Sequence, residues 1–70
     1  MAVQWTKVAP YIEAGLANEG RIERSGIVDK AYDDAADDDV VDAIDGLGSR
    51  IFMTVDEAKR FLLSTGLVEE

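Results

Sequence analysis

Eight aspartates crowd the middle of this chain: Asp29, Asp33, Asp34, Asp37, Asp38, Asp39, Asp42 and Asp45. Lys30 is the single base among them, so this one segment holds −7 of a net charge of −8. The remaining positions are close to neutral, although the 70 residues together carry fifteen acids and seven bases. Aspartates at such density can coordinate a hard cation, pair for acid–base work, or present negative charge to a basic partner.

The metal reading fails on spacing. A calcium loop of the EF-hand type needs acids at its first, third and fifth positions, glycine at the sixth and glutamate at the twelfth. Placing Gly46 at the sixth position puts Val41 at the first, and placing Gly48 there puts Ala43 at the first. Cysteine and histidine are both absent, which removes thiolate and imidazole ligands as well as the commonest general base. Ser25, Ser49 and Ser64 therefore have no imidazole to activate them. Gly15-Leu16 and Gly46-Leu47-Gly48 lack the lysine and hydroxyl residue of a phosphate loop. Paired carboxylates would need a water-excluding cleft, for which so short a helical chain has little room. No metal, cofactor or enzymatic activity is expected.

Two readings of the acids remain. In one they are merely a solvated face. That face would be an unusual one, because a structural surface normally intersperses lysines, and like charges at i,i+4 repel by a few tenths of a kcal/mol, roughly, per pair. In the other reading, the acidic row stands in for a polyanion. Nucleic-acid-binding proteins space their lysines and arginines to meet phosphates, and helical acids four residues apart are separated by about 6 Å along the axis. Direct binding to nucleic acid or to an anionic membrane is disfavoured by the same charge.

The elements that must hold these acids are read from apolar periodicity. A first helix opens at Thr6 as N-cap, takes Pro10 in its first turn, buries Val8, Tyr11, Ile12 and Leu16, and stops at Asn18-Glu19-Gly20. Arg21 to Arg24 is either a helical turn or a short strand. Ser25 caps a second helix from Gly26, whose Ile27, Val28, Ala31, Tyr32 and Ala35 form the inner face; Asp29, Asp33 and Asp37 then share its outer face. Tyr32, next to Asp33, is also placed to stand at the rim of an interface. Asp37 or Asp38 caps a third helix with Val40, Val41, Ile44 and Leu47 inside, Asp38, Asp42 and Asp45 outside, and Gly48 at its end. Ser49 to Met53 is a connector or a strand able to pair with residues 21–24, with Arg50 neutralising nearby acids. Thr54-Val55-Asp56-Glu57 has the form of a capping box, followed by Val55, Ala58, Phe61 and Leu62 as core face and Gly66 as stop, with Leu67 and Val68 folding back. The expected fold is mainly α: one domain over residues 1–70, a compact bundle of three to four short helices with room for one two-stranded β pair. At 47% apolar residues the chain can fill a core.

The run Asp38-Asp39-Val40-Val41-Asp42-Ala43-Ile44-Asp45-Gly46-Leu47, then Arg50-Ile51-Phe52 and Thr54-Val55-Asp56-Glu57-Ala58, resembles a small bacterial helical domain family of unknown function. That family has a proline where Gly48 stands here and a tyrosine near Phe52, so the resemblance implies a fold for the C-terminal half and no activity. In size, acidity and want of catalytic residues, the whole chain is similar to phage-encoded anti-CRISPR proteins. Several of these act as DNA mimics on the DNA- or PAM-binding surface of a Cas effector. The similarity is one of character, and no family residue is carried over. It implies a non-enzymatic inhibitor of a basic nucleic-acid-binding protein in the cytoplasm of a bacterial host cell. The contact is expected at the eight aspartates because the charge gathers there, and the chain is expected to be a monomer, or a homodimer if so short a chain leaves an apolar stripe uncovered. Met1-Ala2-Val3-Gln4-Trp5 has neither the basic start nor the apolar stretch of a secretory signal, in keeping with that location. The other reading is an adaptor or antitoxin-like regulator, binding through an apolar face centred on Trp5, Phe52, Met53, Leu67 and Val68. A surface adapted to high salt would instead spread its acids evenly.

Overall fold

The C-terminal helix shows how local chemistry sets the boundaries of this fold. In the computed structural model, which describes residues 2–70, that helix runs from Val55 to Thr65. Thr54 is its N-cap, and the Thr54 Oγ1 accepts a hydrogen bond from the Glu57 backbone N–H at 3.2 Å. Asp56 and Glu57 occupy the first turn, where the helix dipole favours negative charge. Gly66 closes the helix at φ 80°, a left-handed conformation open to glycine at little cost, and its N–H reaches the Leu63 carbonyl.

In chain order the elements are β1 (Val3–Gln4), α1 (Trp5–Glu19), β2 (Ile22–Glu23), α2 (Arg24–Asp33), α3 (Asp38–Asp45), β3 (Ile51–Phe52), α4 (Val55–Thr65) and β4 (Val68–Glu69). The architecture is mainly helical, as the periodicity predicts. The strand alternative for residues 21–24 and 49–53 is the correct one: β2 and β3 pair antiparallel, with Ile22 opposite Phe52 and Glu23 opposite Ile51. A second pair was not expected. β1 and β4 lie parallel, with Val3 opposite Val68 and Gln4 opposite Glu69, so the two ends of the chain are stitched together.

One core joins the helices. Val8 and Ile12 of α1, Ile27 and Ala31 of α2, Val41 and Ile44 of α3, and Ala58 and Leu62 of α4 are all buried, with Ile22, Phe52 and Val68 from the strands. Among the described residues no polar or charged side chain is buried. Each apolar side chain of Leu or Ile size withdrawn from water contributes about 1.5–3 kcal/mol, which is what holds so small a body together.

Several boundaries differ from the sequence reading. α1 begins at Trp5 directly off β1, Gln4 takes the cap position, and Thr6 makes no capping bond. Pro10 consequently lies inside the helix, beyond the first turn. It has no N–H to offer the Thr6 carbonyl, but both residues are exposed, so water can serve that group. α2 starts at Arg24, straight out of β2, and Ser25 caps nothing; its hydroxyl donates instead to Glu23 Oε1. Tyr32 is 66% exposed, and Ala35 is exposed too, because α2 ends at Asp33 and the inner face is never extended by a further turn. α3 stops at Asp45, with Gly46 rather than Gly48 at its end, although Leu47 just beyond remains buried.

Candidate functional site

The eight aspartates are held by two short helices and the turn between them. Asp29 and Asp33 sit one turn apart on α2, and Asp34 follows its last residue. Asp37 is not on α2, as the four-residue spacing suggested. It occupies the cap position of α3, where its carbonyl accepts from the Val40 and Val41 N–H groups while its side chain makes no cap bond. Asp38, Asp39, Asp42 and Asp45 belong to α3 itself. At 100° per residue, Asp38, Asp42 and Asp45 fall within about 60° of one another, with Asp39 at their shoulder. Val40, Val41, Ala43 and Ile44 fill the remainder of the wheel and are buried. The division is dictated by burial: the four apolar residues must face the core, which leaves the aspartates only the outer arc. All eight are exposed.

The bases are spent mostly elsewhere. Arg24 Nη1 donates to Asp45 Oδ1 at 2.7 Å, and Lys30 Nζ stands 3.7 Å from Asp34 Oδ1. Arg21 pairs with Glu23, Lys59 with Glu70 and Arg60 with Asp56. Hydrogen bonds from Arg21 hold the Glu23 carboxyl below the usual glutamate range, and a hydrogen bond from Lys59 does the same for Glu70. Arg50 pairs with no acid among the described residues, contrary to expectation; its guanidinium stacks 5.0 Å above the Phe61 ring, a cation–π contact. Among the described residues, Asp29, Asp33, Asp37, Asp38, Asp39 and Asp42 are therefore left without an ion pair. No three of the acids converge closely enough, among the described residues, to hold a metal ion.

The acids border different hollows. Asp34 and Asp37 line a depression of about 420 Å³ beside α1, next to Pro10 and Lys7. Asp29 and Asp33 line an adjoining one of about 220 Å³ between α1 and α2. The two share Tyr11, Ala14 and Lys30 and so adjoin end to end, making a two-part groove along α1. Asp39 and Asp42 border a separate hollow with Val3 and Leu67, where the chain ends meet. The acidic segment thus presents two flanks joined by the turn from Asp34 to Asp37, and Asp45 is turned to Arg24.

The apolar residues proposed for the other reading are dispersed. Phe52 and Val68 are buried and Trp5 packs against the core, while Met53 and Leu67 are exposed. Sequence reasoning missed Ile51, which is 55% exposed at the edge of β3 beside Met53. The strand alternation is the signal that could have found it, since Phe52 inward forces Ile51 and Met53 outward. No protein-family model, curated protein or solved structure matches the chain.

Proposed function

We propose that this protein is a non-enzymatic inhibitor that occupies a basic nucleic-acid-binding surface by presenting aspartates in place of phosphates. Its most concrete form is an anti-CRISPR protein that blocks DNA or PAM recognition by a Cas effector in the bacterial cytoplasm. The observation that carries the reading is the set of six exposed aspartates with no ion pair among the described residues, fixed on α2, α3 and the turn between them. These two helices pack directly on each other and on α1, so the charges sit on a rigid support with short side chains. A partner that has evolved to neutralise phosphates supplies the missing cations, and steering by opposite charge speeds the encounter.

The test is a triple substitution, Asp33→Lys, Asp37→Lys and Asp42→Lys, in a competition assay for double-stranded DNA bound to a Cas effector. All three side chains are exposed, so the fold should survive, while the net charge moves from −8 to −2. Inhibition by the parent chain should weaken steeply between 50 and 300 mM salt, roughly as a multi-phosphate contact does, and the triple variant should not inhibit at all. Undiminished inhibition by a folded triple variant at physiological salt rules the proposal out.

A second reading draws on Ile51 of β3 and Met53 just beyond it, both of them exposed. A small adaptor would bury these two against a partner, and its affinity would then be nearly independent of salt. The same salt titration separates the two readings.

A further inference from the structure

The groove along α1 combines an apolar floor with an acidic rim, and neither property alone would define its occupant. Its floor is built from Tyr11, Ala14, Gly15, Ile27, Ala36 and Val40. Gly15 is what lets α1 and α2 approach closely there: a Cβ at that position would stand 2.7 Å from Ile27 Cγ1. Around the floor stand Glu19, Asp29, Asp33, Asp34 and Asp37, against Lys7 and Lys30 alone. From Thr6 to Asn18 along the α1 wall, the groove is about 18 Å long at the helical rise per residue.

We propose that this groove docks a basic amphipathic helix of the partner, about three turns long, apolar side down and lysines or arginines against the rim. The inference rests on the preceding reading in requiring a basic partner, and adds which flank is used and which kind of element fills it. Charge complementarity selects against an anion, a nucleic acid or a second copy of this acidic chain. Backbone chemistry selects a helix over an extended segment. Both walls are helices whose own N–H and C=O groups are paired internally, so a strand laid here would find no backbone partners, whereas a helix brings its hydrogen bonds with it. Cationic side chains four apart on such a helix match Asp29 and Asp33, themselves one turn apart on α2. Asp39 and Asp42 border a different hollow and lie outside this groove, where they remain free to meet the rest of the partner's basic surface.

Two synthetic peptides of about fourteen residues test this, because three turns of helix plus frayed ends need about that length. One carries lysines on one face and leucines on the other; the second keeps the lysines and replaces each leucine with glutamine. Binding is followed on the full chain by amide chemical shifts in near-physiological salt. The amphipathic peptide should bind at least tenfold tighter than its control and shift Tyr11, Ala14, Ile27 and Ala36. Ala14→Trp, which fills the groove, should remove that tenfold advantage and leave the control peptide unaffected. The shift pattern on the unsubstituted chain decides the question independently, should that variant fold poorly. Equal binding of both peptides, or shifts centred on Asp39 and Asp42 or on Ile51 and Met53, overturns the groove while leaving a charge-driven role intact. If neither peptide binds even at low salt, the groove and the charge reading fall together.

Discussion

Ala35 carries the one left-handed backbone conformation that this chain, among its described residues, assigns to something other than glycine, with φ 55°. The reason lies in the end of α2. Ala36 N–H bonds the Ala31 carbonyl and Ala35 N–H bonds the Tyr32 carbonyl, the paired closure that normally has glycine at the position Ala35 fills. A Cβ there costs about 1 kcal/mol, partly offset because alanine leaves the unfolded chain less freedom than glycine. Ala35→Gly should therefore leave stability unchanged or raise it by up to about 1 kcal/mol, whereas β-branched Ala35→Val should lower it by more than about 1 kcal/mol. Urea unfolding of the two variants measures both, and a neutral valine would show that this turn is not strained. Glu23 offers a second test at this scale. Arg21 lowers its pKa chiefly by a hydrogen bond, so the carboxylate's small contribution is present at neutral pH and disappears as pH falls through the lowered folded value. Because the pair lies in solvent, the effect belongs to the titration rather than to stability. An NMR titration should place the Glu23 carboxyl below the ordinary glutamate value, and Arg21→Ala should raise it toward that value, the Ser25 hydroxyl keeping a smaller part of the lowering.

At the scale of elements, α3 and α4 were readable because everything that forms them is local. The apolar spacing of Val40, Val41, Ile44 and Leu47 and the Thr54 cap need no knowledge of the remaining chain. α2 is less legible: its start depends on β2 pairing with β3, which makes Ser25 unnecessary as a cap, and its end depends on the turn at Ala35. The β1–β4 pair was illegible, since two-residue strands carry no alternation and their partners lie at opposite ends of the chain. The exposure of the aspartates could be foreseen from the helical wheel, but the groove could not, because it arises where α1 crosses α2 at Gly15 and Ile27. The acids on α3 also mark an element whose composition works against its own stability. Asp38 and Asp42 are one turn apart, and neither is paired with a cation among the described residues. Asp42→Lys replaces that repulsion with an attractive i,i+4 pair and puts a positive charge toward the C-terminal end, for about 0.5–1 kcal/mol together. In a domain of this size that is a rise of about 2–8 °C in Tm, with Asp42→Asn giving about half. A drop in Tm for the lysine variant would mean that Asp42 makes a stabilising contact and is not simply held out in solvent.

For the whole molecule, the relevant comparison is between its size and the reach of its charges. The body measures 30 × 25 × 20 Å, and at about 10 mM salt the screening length is about 30 Å, so every unpaired aspartate feels every other across it. At about 150 mM that length shrinks to about 8 Å, and only neighbours on α2, α3 and their turn still interact. Folding concentrates the acidic segment, whereas the unfolded chain spreads it out, so added salt should favour the folded state. The expected gain is about 1 kcal/mol, or about 4–8 °C in Tm, between 10 and 500 mM sodium chloride. Binding to a basic surface should respond in the opposite sense, because there the aspartates meet opposite charge and salt screens an attraction. A chain kept acidic for a partner must accept the first effect to obtain the second, and the same substitutions should move both. Asp33→Lys, Asp37→Lys and Asp42→Lys together should flatten the dependence of Tm on salt and, in the same protein, abolish binding to the basic partner at every salt concentration. Calorimetry across the salt series reads the first and a titration with the basic partner the second. A Tm indifferent to salt in the parent chain would mean that its aspartates are too far apart to act as one charge, and they could not then substitute for a row of phosphates.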